Sequence, residues 1–270
     1  MAYQSIRYEV RHRVAIITLD RPEARNAFTG TMGAELSDAY RRSADDDQVG
    51  AVVVTGTPPA FCAGADLRAG GDTFRPRPGS QFSAAATDMA AWDVPKLVIA
   101  AVNGHALGIG LTLALQCDIR IFAAAATYGV VQVRRGVMGD GYSHWTLPRI
   151  AGMSGAAEIL LTGRTFDGHE ARDLGICSRT LPADEVLAAA VELAAEVAAN
   201  TAPLSVAASK RLLWSSWGRT AAQVEESETQ LHHFLMGRPD AREGVESFLE
   251  KRPPRWRGSV SRDLADAGDP

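Results

Sequence analysis

Residues 96–122 read KLVIAAVNGHALGIGLTLALQCDIRIF, and this stretch decides the fold. The apolar run 97–102 has the length of a strand, and the Asn-Gly pair at 103–104 ends it. The glycine-bearing segment 108–110 then opens an apolar run, and residues 119–122 have strand character again. The pattern predicts a strand, a glycine-rich turn, a short buried helix and a second strand.

A turn of this kind directs the unpaired N–H groups of the first helical turn at whatever lies above it. The upstream sequence repeats the arrangement, with a buried strand at 51–55 and a Gly-Thr-Pro-Pro break at 56–59. Small residues follow within 61–67, and they let a ligand approach the backbone. Two N–H donors from separate loops are what an enolate or tetrahedral oxygen needs. The sequence therefore predicts an oxyanion site.

Three motifs on these loops closely resemble the crotonase, or enoyl-CoA hydratase/isomerase, superfamily: AGADL at 63–67, AVNGHALG at 101–108 and CDI at 117–119. Matches at 25–27 and 242–252 extend the resemblance over nearly the whole chain. The resemblance implies an α/β fold of the ClpP/crotonase type, a spiral of ββα units. It also implies a core with the acyl-CoA site over residues 1–200 and a C-terminal α-helical trimerisation region over residues 201–270.

The resemblance implies the groups that bind substrate. The thioester oxygen of an acyl-CoA is held in this family by two peptide N–H groups, which the match places on Ala65 and Ile109. Arg25 with Ala27 resembles the family's contact to adenine and pyrophosphate, a lone surface arginine being the alternative. Asp66 is expected to fix its loop by accepting backbone hydrogen bonds. The other binding residues that the match implies are Ala63, Leu67, Gly108, Thr112 and Gln132.

A hydratase adds water across a double bond conjugated to a thioester, so it needs acid–base groups at the α and β carbons. In the resembled hydratases two glutamates do this work, and the matching positions here are Thr112 and Gln132. Neither side chain exchanges a proton near neutral pH, although either can orient a water. The sequence therefore argues against ordinary two-glutamate hydration.

Asp140 is the carboxylate that we expect to react. It lies between Gly139 and Gly141, where the family's dienoyl-CoA isomerases carry a proton-transfer aspartate and its chlorobenzoyl-CoA dehalogenases a nucleophilic one. An aspartate that merely suits a Gly-Asp-Gly turn is the alternative. His144, one helical turn further on, is a candidate to share its proton, against the alternative of a packed or surface histidine.

The predicted function is that of a lyase or isomerase of fatty-acid and lipid metabolism, acting on an acyl-CoA through an enolate with Asp140 as acid–base group or nucleophile. A non-catalytic acyl-CoA-binding protein and a CoA thioester hydrolase are the alternatives. Coenzyme A enters only as part of the substrate, and no other cofactor is predicted. A dinucleotide fingerprint beginning at 108 fails at Leu113, and a nucleophile elbow beginning at 141 fails at Trp145.

Composition limits the remaining possibilities. A chain of 270 residues with 46% hydrophobic residues builds one main domain, and a net charge of −4 gives no reason to expect nucleic acid. The apolar runs are too short to span a membrane, and residues 1–5 do not begin a signal peptide, so a cytoplasmic protein is expected. Six histidines without metal-ligand spacing predict no metal, and three widely spaced cysteines predict reduced, mostly buried thiols.

Along the chain, strands at 6–10 and 14–19 predict a hairpin, and Thr29 predicts a helix cap. The loop 68–80 is predicted to be a mobile lid, and 82–92 a helix ended by Pro95. Further predicted helices are 154–161, 169–174, 183–199 and, as an all-helical tail, 203–249.

In the resembled family this tail builds a homotrimer, often paired into a hexamer, and contributes basic contacts to the phosphates of coenzyme A. Lys251, Arg252 and Arg255 are the basic residues in that position. A solvated basic terminus is the alternative interpretation of each residue taken singly.

Overall fold

Nine strands in the described part of the chain, formed mostly in consecutive pairs, build two sheets. The structure, a computed structural model, describes residues 3–75 and 83–267. The strands are β1 (Ile6–Arg11), β2 (Val14–Leu19), β3 (Ala51–Gly56), β4 (Ala60–Cys62), β5 (Leu97–Val102), β6 (His105–Leu107), β7 (Ile119–Ala123), β8 (Tyr128–Gly129) and β9 (Arg179–Leu181).

The larger sheet has the order β1-β2-β3-β5-β7-β9. Its first two strands form the predicted antiparallel hairpin, and every later pair is parallel. Every residue of β3 and nearly every residue of β5 is buried. Parallel strands covered on both faces are apolar along their whole length, which is why the runs at 51–55 and 97–102 predicted them correctly.

The smaller sheet has the order β4-β6-β8. Each of its strands follows a strand of the larger sheet after a short turn, so β3–β4, β5–β6 and β7–β8 repeat one unit. This repetition is the spiral of ββα units that the resemblance implied, and the α/β fold is confirmed. Strands of two or three residues are too short to give a periodic pattern, so the sequence analysis did not predict this sheet.

Ten α-helices complete the described fold: α1 (Gly30–Asp45), α2 (Ile109–Ala114), α3 (Ser143–Ile150), α4 (Gly152–Thr162), α5 (Gly168–Asp173), α6 (Val186–Asn200), α7 (Pro203–Ser215), α8 (Ala221–Met236), α9 (Pro239–Leu249) and α10 (Val260–Asp263). The Thr29 hydroxyl accepts the Met32 N–H at 3.2 Å and caps α1 as predicted. The three cysteines are buried and unpaired.

Membrane-spanning potential in the described chain is confined to one bent pair. No single described helix has the length and apolarity to cross a bilayer. Residues 186–200 and 203–218 meet the length and composition criteria only together, and they are bent by 117° at their junction.

The helix predicted over 82–92 is wrong over its described part. Residues 83–90 form turns and bends, and only Ala91–Asp93 forms a single 3-10 turn. The backbone N–H groups find partners outside a helix: Asp88 donates to the Ser37 hydroxyl at 2.9 Å, and Ala90 donates to the Asp93 carboxylate at 3.0 Å. Tertiary contacts override local helix propensity here.

The predicted lid falls partly outside the described residues. Residues 76–80 of the loop, and Phe82 of the predicted helix, lie beyond what the structure describes. Over 68–75 the chain is mostly exposed and contains one 3-10 turn, Gly70–Asp72. The lid function remains a prediction.

A buried ion pair fastens the helical tail to the larger sheet. The Lys210 ammonium of α7 lies 2.8 Å from the Asp118 carboxylate at the start of β7 and also donates to the carbonyls of Ala91 and Lys96. Asp118 accepts the Val98 N–H at 2.8 Å and the Trp214 indole N–H at 2.7 Å. Burial lowers the pKa of Lys210, and the neighbouring Asp118 charge opposes that shift.

Replacing Lys210 by Met should lower the free energy of unfolding by about 3 kcal/mol, because the Asp118 charge would stay buried without its cation. Urea denaturation measures the change. Arg242→Met is the control, since the Arg242–Glu246 pair on α9 is exposed and should contribute nothing measurable. Equal changes in both variants would contradict the assignment of Lys210 as an anchor.

Candidate functional site

The first bend of the site follows β4 and presents the N–H of Ala65. The Phe28 N–H donates to the Gly64 carbonyl at 2.7 Å, and the Asp66 N–H donates to the Phe28 carbonyl at 3.0 Å. Successive amides of an extended chain point to opposite sides. The Ala65 N–H therefore points away from Phe28, and it donates to no protein acceptor in the described parts of the chain.

The second bend begins α2 and presents the N–H of Ile109. Gly108 has φ +53° and ψ −124°, a conformation that a residue with a side chain adopts only with strain. Its carbonyl accepts the N–H groups of Leu111 and Thr112, both at 3.1 Å. Ile109 is the first helical residue, so its own N–H has no partner within the helix.

The two bends are in direct contact. A Cβ on Gly110 would lie 2.2 Å from the Cys62 carbonyl oxygen, and one on Gly64 would lie 3.1 Å from the Leu107 carbonyl oxygen. Only glycines allow α2 and β6 to approach the first bend so closely. This contact is compatible with two N–H donors serving one oxygen, the role predicted for Ala65 and Ile109.

Thr112, Gln132 and Asp140 meet at a single oxygen. The Thr112 hydroxyl lies 3.1 Å from Asp140 Oδ1, and the Gln132 side-chain N–H donates to the same atom at 3.0 Å. Gln132 packs beneath Gly108, where a Cβ would lie 3.4 Å from its amide. The two residues that stand where the resembled hydratases carry glutamates therefore bind the one carboxylate in the cluster.

Burial of Asp140 in this cluster is only partly compensated by hydrogen bonds to its carboxyl group. Burial raises the pKa of Asp140, and hydrogen bonds from Thr112, from the Asp140 backbone N–H and from Gln132 oppose the shift only in part. Asp140 Oδ2 receives no hydrogen bond from any other residue that the structure describes. Gln132 Oε1 is buried and has no described partner. The cluster thus retains two acceptor atoms that a ligand or a water would satisfy.

The other predicted site residues lie around the first bend. Arg25 is exposed with φ +51°, and its carbonyl accepts the Ala63 N–H at 3.0 Å. Asp66 accepts the Arg68 N–H, as expected, and also pairs with the guanidinium groups of Arg68 at 2.6 Å and Arg21 at 2.8 Å. These two arginines hold the pKa of Asp66 well below its usual range.

Sequence reasoning missed the part played by Arg21. It joins Asp66 to the Ala27 carbonyl and so ties the predicted coenzyme A segment to the first bend. No local pattern marks this residue, because Arg21 and Asp66 are 45 positions apart. Leu67, next to Asp66, is exposed.

Two sets of candidates are not brought to Asp140. His144 is exposed on α3 and makes no hydrogen bond with Asp140 in the structure as described. Arg252 pairs with Glu243 at 2.6 Å, and the Arg255 N–H donates to the same carboxylate. Lys251 ends this segment with φ +53°. Within residues 3–75 and 83–267, no group of three or more His, Cys, Asp or Glu could hold a metal ion.

Comparisons with known proteins agree with the fold. The family model described as enoyl-CoA hydratase/isomerase matches residues 9–259. A probable enoyl-CoA hydratase of Mycobacterium bovis is 36% identical over 260 residues, covering 95% of this chain and 99% of that protein. The 2,3-dehydroadipyl-CoA hydratase of Escherichia coli is 32% identical, with 92% and 96% covered.

A solved structure is also similar over its whole length. It is a probable enoyl-CoA hydratase/isomerase from Mycobacterium abscessus, with 48% sequence identity and a TM-score of 0.91. The match covers 94% of this chain and 99% of that one.

Replacing Asp140 by Asn should raise the thermal midpoint at pH 7. Asn keeps an oxygen for Thr112 and Gln132 but removes a charge that burial disfavours. The pKa of Asp140 is raised in the folded state, so protonated Asp140 favours folding. This stabilisation is fully present below the unfolded pKa, about 3.9, and is lost as the pH rises through the folded pKa. The gain should therefore shrink as pH falls toward 4. Scanning calorimetry between pH 4 and 8 measures it, and a pH-independent difference would contradict this reasoning.

Proposed function

The chain belongs to the enoyl-CoA hydratase/isomerase family, and from that premise we propose that Asp140 carries the acid–base chemistry of this enzyme alone. The family's enzymes act on CoA thioesters, and the substrate proposed here is an acyl-CoA with a double bond near the thioester. The observation that carries the proposal is the arrangement at Asp140, whose Oδ1 is held by Thr112 and Gln132 while Oδ2 receives no hydrogen bond from any other described residue.

This arrangement supports proton transfer in two ways. Fixing one oxygen orients the carboxyl group, so that the other oxygen faces the ligand without a competing protein donor. Burial raises the pKa of Asp140, and a carboxyl whose pKa lies closer to the working pH exchanges protons more effectively in both directions. An exposed aspartate, with its lower pKa, would be a weaker base and would seldom carry a proton to donate near neutral pH.

The proposed reaction is movement of a double bond within the acyl group. Asp140 Oδ2 removes a proton from a carbon next to the double bond or the thioester, and the electrons of that C–H bond pass into the thioester as an enolate. The N–H groups of Ala65 and Ile109 stabilise the negative oxygen. Protonated Asp140 then returns the proton to another carbon. One carboxyl group suffices because the proton removed is the proton returned.

Hydration by a single carboxyl group is the second form of the reaction. Gln132 Oε1 is buried without a described partner, and a water bound there would lie beside Asp140. Asp140 would take one proton from this water as its oxygen bonds to the β carbon, and would deliver a proton to the α carbon. This route asks one group to act at two carbons, so isomerisation is the proposal that the cluster favours.

A binding protein without chemistry is the second candidate function. It is favoured by Thr112 and Gln132, neither of which exchanges a proton near pH 7. Tight acyl-CoA binding in calorimetry with no conversion across a substrate panel would establish it. Thioester hydrolysis by a nucleophilic Asp140 would instead release free thiol, which a thiol reagent detects.

Replacing Asp140 by Asn should lower kcat/KM by about 10²- to 10⁴-fold on every acyl-CoA that the wild type converts, since the proton acceptor is removed. Acyl-CoA affinity should change little. Deuterium incorporation from D₂O and product analysis by mass spectrometry measure the loss. Asp184→Asn, an exposed aspartate preceding α6, is the control. Unchanged turnover in the Asp140 variant would remove the basis of the proposal.

We further propose that residues 201–270 form an oligomerisation region and that the protein is a trimer or a pair of trimers. Helices α8 and α9 expose large apolar side chains, among them Phe248 at 81% and Leu249 at 72%. A groove of about 760 Å³ runs among α7, α8 and α9. An apolar surface of this kind on a folded chain is typical of a protein interface.

Replacing Phe248 by Asp should shift the assembly toward monomers, because the charge would be buried at the interface. Light scattering on a size-exclusion column measures the mass. Leu161→Asp is the matched control, since Leu161 is 76% exposed on α4 outside this region. The proposal is supported if the Leu161→Asp variant remains a trimer and the Phe248→Asp variant does not. A wild-type monomer would refute it.

A further inference from the structure

Tyr142 occupies a position that its backbone conformation does not suit. It has φ +63° and ψ +18°, the left-handed region that glycine and asparagine adopt most easily. It is also the N-cap of α3, yet its side chain makes no capping hydrogen bond. Ser, Asp or Asn would cap the helix, and Gly would relieve the strain. Tyr142 neither caps the helix nor suits the left-handed backbone, so local structure does not explain a tyrosine at this position.

The Tyr142 ring is held by an aromatic cluster. It packs edge-on against Trp92, with ring centroids 4.9 Å apart and planes at 71°. Trp92 in turn contacts Trp145 and Trp214 at 5.2 and 5.1 Å. The indole of Trp214 donates to the buried Asp118 carboxylate. The support behind the Tyr142 ring is therefore fixed to the core of the molecule.

The backbone of Tyr142 lies next to that of Asp140, the residue proposed to react. Only Gly141 separates Tyr142 from Asp140, so their Cα atoms are within about 7 Å of each other. A Cβ on Gly141 would lie 2.5 Å from the Thr112 hydroxyl, so the loop is pressed against α2 up to this residue. Tyr142 is the first side chain beyond that contact. The Gly141 N–H donates to the Ala84 carbonyl at 2.7 Å and holds the segment before Trp92 beside the loop.

The exposed part of the Tyr142 ring offers an apolar surface. Tyr142 is 42% exposed, and its hydroxyl makes no hydrogen bond with any residue that the structure describes. The side chain therefore offers surface rather than a hydrogen-bonding group. An aromatic surface held rigidly beside a reactive centre stacks or packs against planar, apolar groups.

We infer that Tyr142, supported by Trp92, is a specificity-determining residue that selects acyl-CoA substrates with a ring-bearing acyl group. The inference rests on the proposed acyl-CoA function and deepens it. A ring two or three bonds beyond the thioester would pack against Tyr142, whereas a short linear acyl chain would make little use of it. Tyr142 is assigned no proton transfer, which remains with Asp140.

The test is the affinity for two saturated thioesters that cannot react, 3-phenylpropanoyl-CoA and butanoyl-CoA, measured by isothermal titration calorimetry. Tyr142→Gly should weaken binding of the phenyl compound by about tenfold, the effect of losing one wall of an apolar pocket. Binding of the butanoyl compound should change less than about twofold. Tyr142→Phe should bind both as the wild type does, because only the hydroxyl is lost.

Two measurements separate specificity from stability. The thermal midpoint of Tyr142→Gly should change little, since relief of the left-handed backbone offsets the lost packing on Trp92. His12→Gly is the matched control, because His12 also has a positive φ, +49°, in the hairpin turn, and it should bind both thioesters as the wild type does.

Equal losses for both thioesters, an unchanged affinity for the phenyl compound, or a marked drop in thermal midpoint would overturn the inference while leaving the proposed function intact. Wild-type protein that binds neither thioester would instead overturn the proposed function and the inference with it.

Discussion

The contact between Gly110 and the Cys62 carbonyl is the constraint on which the site depends. A Cβ on Gly110 would lie 2.2 Å from that oxygen, so α2 packs directly on β4. This approach brings the first bend against the start of the helix. It also fixes the direction of α2, and hence the position of Thr112 one turn later. A side chain at residue 110 would push the two bends apart and would also move Thr112 away from Asp140.

The repeated connection between the two sheets explains why the site forms at this edge. Strands β4, β6 and β8 follow β3, β5 and β7 in the same order, so the residues after each small strand are delivered to one side of the molecule. Ala65 comes from the first unit, Ile109 and Thr112 from the second, and Gln132 and Asp140 from the third. Burial that stabilises the sheets also raises the pKa of Asp140, so the carboxyl group that we propose to react lowers the stability of the fold when it is ionised.

The polar interior divides into the Lys210–Asp118 anchor and the cluster at Asp140. Lys210 and Asp118 satisfy one another and several backbone groups, which is how a buried charge pair becomes a structural fastening. The cluster at Asp140 is incomplete by comparison, with Gln132 Oε1 lacking a described partner. Buried polar groups left unsatisfied by the protein mark the place where a ligand or water is expected.

The sequence by itself determined the family, the α/β class, the buried strands at 51–55 and 97–102, the helix after Gly108 and the Asp140 candidate, because these depend on local patterns of apolar residues and glycines. It did not determine the two- and three-residue strands of the smaller sheet, and it predicted a helix over 82–92 where tertiary contacts prevail. Only the tertiary structure decided that Thr112 and Gln132 share one oxygen of Asp140, and that Trp92 supports Tyr142. Thr112 is 28 positions from Asp140, and Trp92 is farther still from Tyr142 in the chain. These long-range contacts are set by sheet order and helix packing, which no local sequence pattern encodes.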